Sequence, residues 1–400
     1  MRTIFRGGRV FDGSGAPTAG ADVVIEGGRI VEVGRGLDGD VAVDASGKTL
    51  LPGMFDCHTH VALDGVDLWK ILQLPFSYRF FQAARNLERT LAAGITTVRD
   101  AGGADLGVKQ AVDDGLVSGP RMQISITMIC QTGGHGDGWM PSGLTYNIFP
   151  RHPGSPSGIV DGPEEMRRKV RELVRNGADV IKVATTGGVM SPRDRPQHAH
   201  FRPDELRALV AEATAAGVFV MSHAQGTDGI KNAVRAGIRS IEHGMFLDDE
   251  AIELMIERGA YLVPTLMAPM GVIAAAESGV DMLPAVVAKA RETVDAHRDS
   301  VTRAIGAGVK IAMGTDSGVT PHGDNLQELG LMAECGMAPE QVMVATTRSS
   351  AELMGLGEEI GTLEPGKRAD VVVVEGDPFD FKTLPQRIEA VYKDGVLALS

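Results

Sequence analysis

One phrase repeats along the middle of the chain. An amphipathic stretch ends in glycine, a short apolar run follows, and the run closes on a polar residue. Its instances are "AAGITTVRD", "NGADVIKVAT", "AAGVFVMSHAQG", "RAGIRSIEHG", "RGAYLVPT" and "GAGVKIAMGTDSG". Glycine at the end of each amphipathic stretch reads as a helix stop, because the left-handed conformation there carries no Cβ penalty. "GPEEMRRKVRELVRNG" places Pro163 in the first helical turn and apolar residues at 166, 170, 173 and 174. That pattern predicts a helix, and "RPDELRALVAEATAAG" repeats the design. With "TLLPGMFDCHTH" as a first strand and "RMQISITMIC" as a third, eight candidate strands precede residue 317. Eight alternating strand–helix units favour an α/β fold closed as a (β/α)8 TIM-like barrel over an open doubly wound sheet.

The two ends of the chain break the pattern. "TIFRGGRVFDGSG", "ADVVIEGGRIVEVG" and "VAVDASGKTLL" at one end, and "GTLEPGKRADVVVVEGDP" and "IEAVYKDGVLAL" at the other, are short strands joined by glycine turns. Neither end is long enough to bury a good core alone. The expectation is a small β-sandwich built from residues 1–52 together with 360–400, flanking a barrel of residues 53–359.

Composition bounds the partners. The net charge of −13 disfavours nucleic acid and anionic membrane, both of which need a basic surface. Three scattered cysteines (Cys57, Cys130, Cys335) make no disulfide framework. The start "MRTIFRGGRVFDG" lacks the apolar core of a signal peptide, and no run reaches a membrane span. A cytoplasmic setting is expected; a homo-oligomer is compatible with the sequence, which does not reveal it.

The polar residues that close the strands are the chemistry of this chain. His58 and His60 close the first, Lys182 lies in the fourth, His223 closes the fifth, His243 the sixth and Asp316 the eighth. Residues i and i+2 of a strand share a side, so His58 and His60 point together. Imidazole and carboxylate suit a borderline divalent ion such as zinc. Singly, each has a bland alternative: a hydrogen-bonded core histidine, a turn aspartate, a lysine snorkelling at a strand end. Together, on strand ends that a barrel gathers at one mouth, they predict a metal site. Lys182 is the oddest member, since an ammonium is costly to bury in an apolar run.

These motifs resemble the metal-dependent amidohydrolase superfamily, with HxH on the first strand, Lys on the fourth, His on the fifth and sixth, and Asp on the eighth. "PGMFDCHTH", "IKVATTGGVMSP", "SHAQG", "IEHG" and "GTDSG" are most similar to its binuclear dipeptidase and prolidase-like branch, with Xaa-Pro and Xaa-Arg dipeptidases, ochratoxin amidases and imidazolonepropionase-like proteins. The resemblance implies two divalent metal ions, zinc foremost, and a CO2-derived carbamate on Lys182 bridging them. It implies His58, His60, Lys182 and Asp316 around one ion, and Lys182, His223 and His243 around the other. It further implies a bridging hydroxide, Asp316 as proton shuttle, and His135 in "CQTGGHGDGWMPSG" against the substrate carbonyl as an oxyanion donor.

Specificity is expected in the irregular stretch 130–162, too long for an ordinary connection. Trp139, Tyr146 and Phe149 are candidates for an apolar wall. Arg193 and Arg195, with His198 and His200, could receive a carboxylate or be solvated loop groups. His322 in "TPHGDN" is a further candidate contact. Many dipeptidase-like relatives read HAHG on the fifth strand, whereas this chain has Gln225 at the second position, a residue that hydrogen-bonds without positive charge. The expected substrate is a small-molecule amide or peptide: a dipeptide, an N-acyl amino acid or a related amide. Alternatives are a cyclic amide or lactone hydrolase, a mononuclear deaminase of the same superfamily, and a catalytically silent binding barrel.

Overall fold

A computed structural model describes residues 1–191 and 193–399. Parallel strands separated by helices make up the middle of the chain. Met54–Thr59, Ile95–Asp100 and Arg121–Ile124 form a three-stranded sheet. Met128–Ile129, Val180–Ala184, Phe219–Ala224, Ser240–His243, Tyr261–Val263 and Lys310–Ile311 form a six-stranded one, parallel throughout. At one edge the two sheets are linked by the chain itself and by the Asp179 N–H donating to the Ile124 carbonyl at 2.9 Å. At the other edge Cys57 N–H donates to Met313 O (2.9 Å), and His60 N–H to Ser317 O (2.7 Å).

The third strand, expected to run unbroken through "RMQISITMIC", is interrupted. Ile126 takes a positive φ of 68°, rare for a β-branched residue, and the strand resumes at Met128. Residues 130–162 contain no regular element up to Val160. Isolated pairings such as Cys130 with Ile159 and Trp139 with Thr145 hold them together.

The helices follow their amphipathic pattern. Pro163–Arg175 has Pro163 at its start, Glu164 and Glu165 in its first turn, and buries Met166, Val170 and Leu173. Gly237 and Gly259 end their helices in the left-handed region, where a β-carbon would be strained.

The terminal strands pair across the chain. Val371–Glu375 lies antiparallel to Lys48–Pro52, with Val371 opposite Pro52 and Glu375 opposite Lys48. Thr3–Arg6 pairs with Asp22–Glu26 and Val41–Asp44 in a second sheet. Phe5, Ile25, Leu50, Val371 and Val373 share one apolar cluster drawn from both ends. Among the described residues no helix is long and apolar enough to cross a membrane.

Candidate metal centre and active site

His58 and His60 leave the end of Met54–Thr59 two residues apart and turn to the same side. Asp316 meets them there because its own N–H donates to the His58 carbonyl at 2.8 Å. Its Oδ1 lies 3.5 Å from His58 Nε2 and 3.3 Å from His60 Nε2. Lys182, 2% exposed, brings Nζ to 3.4 Å from His58 Nε2. The His243 ring is 5.1 Å from that of His58 and 4.6 Å from that of His223. His243 and Asp316 both adopt positive φ, 74° and 61°. Such backbone strain in non-glycine residues collects at functional sites.

Each ring is oriented from behind. His58 Nδ1 is 2.9 Å from Glu242 Oε2, His60 Nδ1 is 2.8 Å from Gly102 O, and His243 Nδ1 is 2.7 Å from Thr265 Oγ1. With the outer nitrogens donating to these oxygens, the Nε2 lone pairs face inward. His223 is reversed: its Nε2 meets Gly187 O at 3.1 Å, and among the described residues its Nδ1 makes no hydrogen bond. Asp316 Oδ1 is buried and lacks a well-aligned donor. Lone pairs facing a carboxylate require a cation or a proton between them. The donor set therefore fits a divalent ion, and His58, His60 and Asp316 have ligand atoms within 4.8 Å of one another.

The electrostatics agree. Burial drives His58, His223 and His243 well below the ordinary imidazole range, towards the neutral, ligating form. Burial opposes protonation of His60 too, but Asp316, with Asp100 and the Gly102 carbonyl, outweighs it and raises that pKa. For Asp316, burial alone would raise the pKa; His58, His60 and Lys182 prevail and hold it far below the usual range. Lys182 is lowered to about 8, chiefly by burial, against the pull of Glu242 and Asp316.

Beneath the centre, Glu242 is wholly buried between His58 and Arg99, whose Nη2 donates to it at 2.9 Å. Arg99 Nε also donates to Cys57 O at 2.7 Å. His297 donates from Nε2 to the carbonyl region of His243 and Pro264, at 2.9 and 2.8 Å. Sequence reading singled out neither Glu242 nor Arg99, and left His297 without a role. The one signal was the acidic residue beside the histidine in "IEHG". Glu242→Gln is expected to weaken metal affinity by about 10–100-fold, as loss of a ligand-orienting carboxylate does. Competition with a chelator measures this, and unchanged affinity would refute the orienting role.

A cavity of about 260 Å³ opens over these groups, with His135, Tyr146, Phe149 and Gln225 in its wall. The His135 ring stacks on His223 at 4.0 Å, and burial lowers its pKa to about 4. Gly188 permits that stacking: a β-carbon there would lie 2.3 Å from His135 Cε1. Phe149 stacks on His60 at 5.7 Å. Arg151, which the sequence reading passed over, also lines the cavity.

Four other expected contacts stand off it. Trp139 is 46% exposed, and the Arg193 guanidinium sits 5.2 Å from its ring, so each occupies the other on the outer surface. His198 is exposed, and its carbonyl accepts from Gly187 N–H at 3.0 Å. His322 is buried beside the first strand, its Nε2 3.0 Å from Leu63 O and 3.3 Å from His60 O. It braces the turn that carries the histidine pair.

The model of the amidohydrolase family matches residues 49–398. The chain belongs to the amidohydrolase family. Ochratoxinase of Aspergillus niger is 35% identical over 417 residues, covering 99% of this chain and 86% of that protein. Imidazolonepropionase of Geobacillus sp. (strain WCH70) is 26% identical over 389 residues, covering 88% and 79%. A Xaa-Pro dipeptidase solved with methionine in its active site superposes with a TM-score of 0.91 at 33% identity, covering 99% of each chain. This amidohydrolase is accordingly a hydrolase acting on carbon–nitrogen bonds, in a family that generally uses divalent metals.

Proposed function

We propose that this amidohydrolase is a binuclear enzyme that cleaves an amide-type C–N bond of a dipeptide, an N-acyl amino acid or a related amide. The reading takes residues 53–359 as one closed (β/α)8 barrel and residues 1–52 with 360–400 as a β-sandwich beside it. Hydrogen bonds on both edges of the three-stranded sheet support the closure. So does the apolar cluster shared by the two chain ends for the sandwich.

One observation carries the reading: Lys182 is buried among inward-facing imidazoles, with its pKa brought near neutrality. An ammonium there would repel any cation. A free amine can instead attack CO2, forming an N–C bond and releasing its proton to solvent. The product is a carbamate with one negative charge and two oxygens. Two divalent ions held side by side would repel and would need such a shared anion. His58, His60, Lys182 and Asp316 would hold one ion, and Lys182, His223 and His243 the other, with zinc the natural match to these donors.

Ions bound there supply Lewis acidity towards the scissile carbonyl and acidify water. Asp316, its Oδ1 facing His58 Nε2 and His60 Nε2, takes the proton of the attacking water. It returns that proton to the leaving nitrogen as the C–N bond breaks, so that a neutral amine departs. Tyr146 and Phe149 offer an apolar wall to the substrate, and His135 and Gln225 offer polar contacts.

Metal analysis combined with a screen of dipeptides, N-acyl amino acids, lactams, lactones and aryl amides tests the reading. Roughly two ions per chain and hydrolysis of open-chain amides are expected. Roughly one ion per chain would favour the mononuclear alternative, and turnover of lactones alone would overturn amide cleavage.

A further inference from the structure

One face of the molecule beside the reaction centre is apolar and uncovered. Trp69 is 70% exposed, Leu72 43%, Phe76 46%, Tyr78 45% and Phe81 74%. They lie on the short helix Leu68–Gln73, on the helix Tyr78–Ala92 and on the turn that joins the two. With about 200 Å² for each aromatic side chain, these exposures leave roughly 500 Å² on the four aromatic residues alone. A monomer rarely leaves so much apolar surface together in water.

The short helix ties this face to the cavity. Leu68 and Ile71 line the cavity, Trp69 and Leu72 are exposed, and none of the six residues of the helix is buried. So short a helix does not hold itself together in water, because nucleation costs more than its few hydrogen bonds return. Cover from outside is what would keep Leu68 and Ile71 in the cavity wall.

Charge identifies the cover. The chain carries a net charge of −13, so most of its surface repels a second copy and an anionic membrane alike. This face is an exception. No Asp or Glu stands between Leu68 and Leu87, although the chain has 52 of them. Aromatic residues with few charges make up the centre of an interface between proteins. The borders are self-complementary. Lys70 precedes the aromatic residues, and Glu88 follows Tyr78, Phe81 and Arg85 along one side of their helix. Arg85 is taken by Asp64 at 2.6 Å, whereas Lys70 and Glu88 have no ion pair among the described residues. A two-fold axis would bring each Lys70 towards the Glu88 of the other copy. Two such faces offer about 1,000 Å² of apolar surface, the size that a specific interface has to reach.

We propose that the Trp69–Phe81 face is a two-fold interface between copies of this chain, and that the second copy completes the cavity by holding the helix Leu68–Gln73 in its wall. This goes beyond the proposed function, on which only the kinetic readout below rests.

Sedimentation of the full-length protein tests the interface without any substrate. Wild type is expected to sediment as an even number of chains at micromolar concentration. Phe81→Glu is expected to lower that mass by at least half, with circular dichroism and metal content unchanged. Lys70→Glu is expected to weaken association by about tenfold, because two reciprocal pairs are lost, and Lys70→Glu combined with Glu88→Lys restores it. A wild type of one chain, a mass unmoved by Phe81→Glu, or a charge swap that fails to restore association would overturn the interface. A single-chain wild type that pellets with phosphatidylcholine vesicles would overturn it too, and would assign the face to lipid. In kinetics, Phe81→Glu is expected to raise KM several-fold, although Phe81 lies outside the cavity lining. An unchanged KM in the dissociated variant would overturn the completion of the cavity by the second copy. If wild type cleaves no amide at all, the functional reading fails while sedimentation still decides the interface.

Discussion

Asp316→Asn is expected to keep its fold and metal content and to lose turnover by about 10²–10⁴-fold, the usual contribution of a positioned proton-transfer group. The substitution is a fair test because it changes little else. Asp316 sits at φ 61°, a conformation that asparagine tolerates as readily as aspartate. The amide keeps the shape and one oxygen towards His58 and His60, but it cannot take up a proton from water. Metal analysis, thermal unfolding and kcat on one substrate measure the three parts. Turnover within tenfold of wild type would remove Asp316 from the proton path.

Lys182→Ala is expected to cost more. If the side chain is a bridging anion, its loss leaves neighbouring cations unshielded, and metal content should fall below that of wild type. Turnover should then drop by about 10³-fold or more, a transition-state loss of at least roughly 4 kcal/mol. A short carboxylate such as formate or acetate, supplied in excess, can enter the vacated space and restore part of both. The opposite result is equally clear. If Lys182 is a plain cation, removing it relieves repulsion, and Lys182→Ala should bind metal at least as tightly as wild type. Isothermal titration of metal into both proteins, with and without added carboxylate, decides between them.

Much of this was legible in the chain. A period of two placed His58 and His60 on one side, and helix-stop glycines marked where the strands begin. The cost of burying an ammonium singled out Lys182. These are local properties, set by backbone geometry within a few residues. The break at Ile126 was hidden because an apolar run such as "QISITMIC" reads alike whether or not the backbone turns within it. The outward positions of Trp139 and Arg193 were hidden because a glycine-rich loop has no period from which to read direction.

The sequence by itself determined which side chains were available as ligands, that the strands carrying them repeat in parallel units, and that the two chain ends supply further strands. Tertiary structure alone decided that Glu242 and Arg99 stand behind His58, that His322 braces the first strand, and that Ser191 reaches His135. The physical reason is the range of the interactions. Strand and helix patterns are written in neighbours along the chain, whereas a buried hydrogen bond joins residues 56 or 184 positions apart and exists only once packing has excluded water from both.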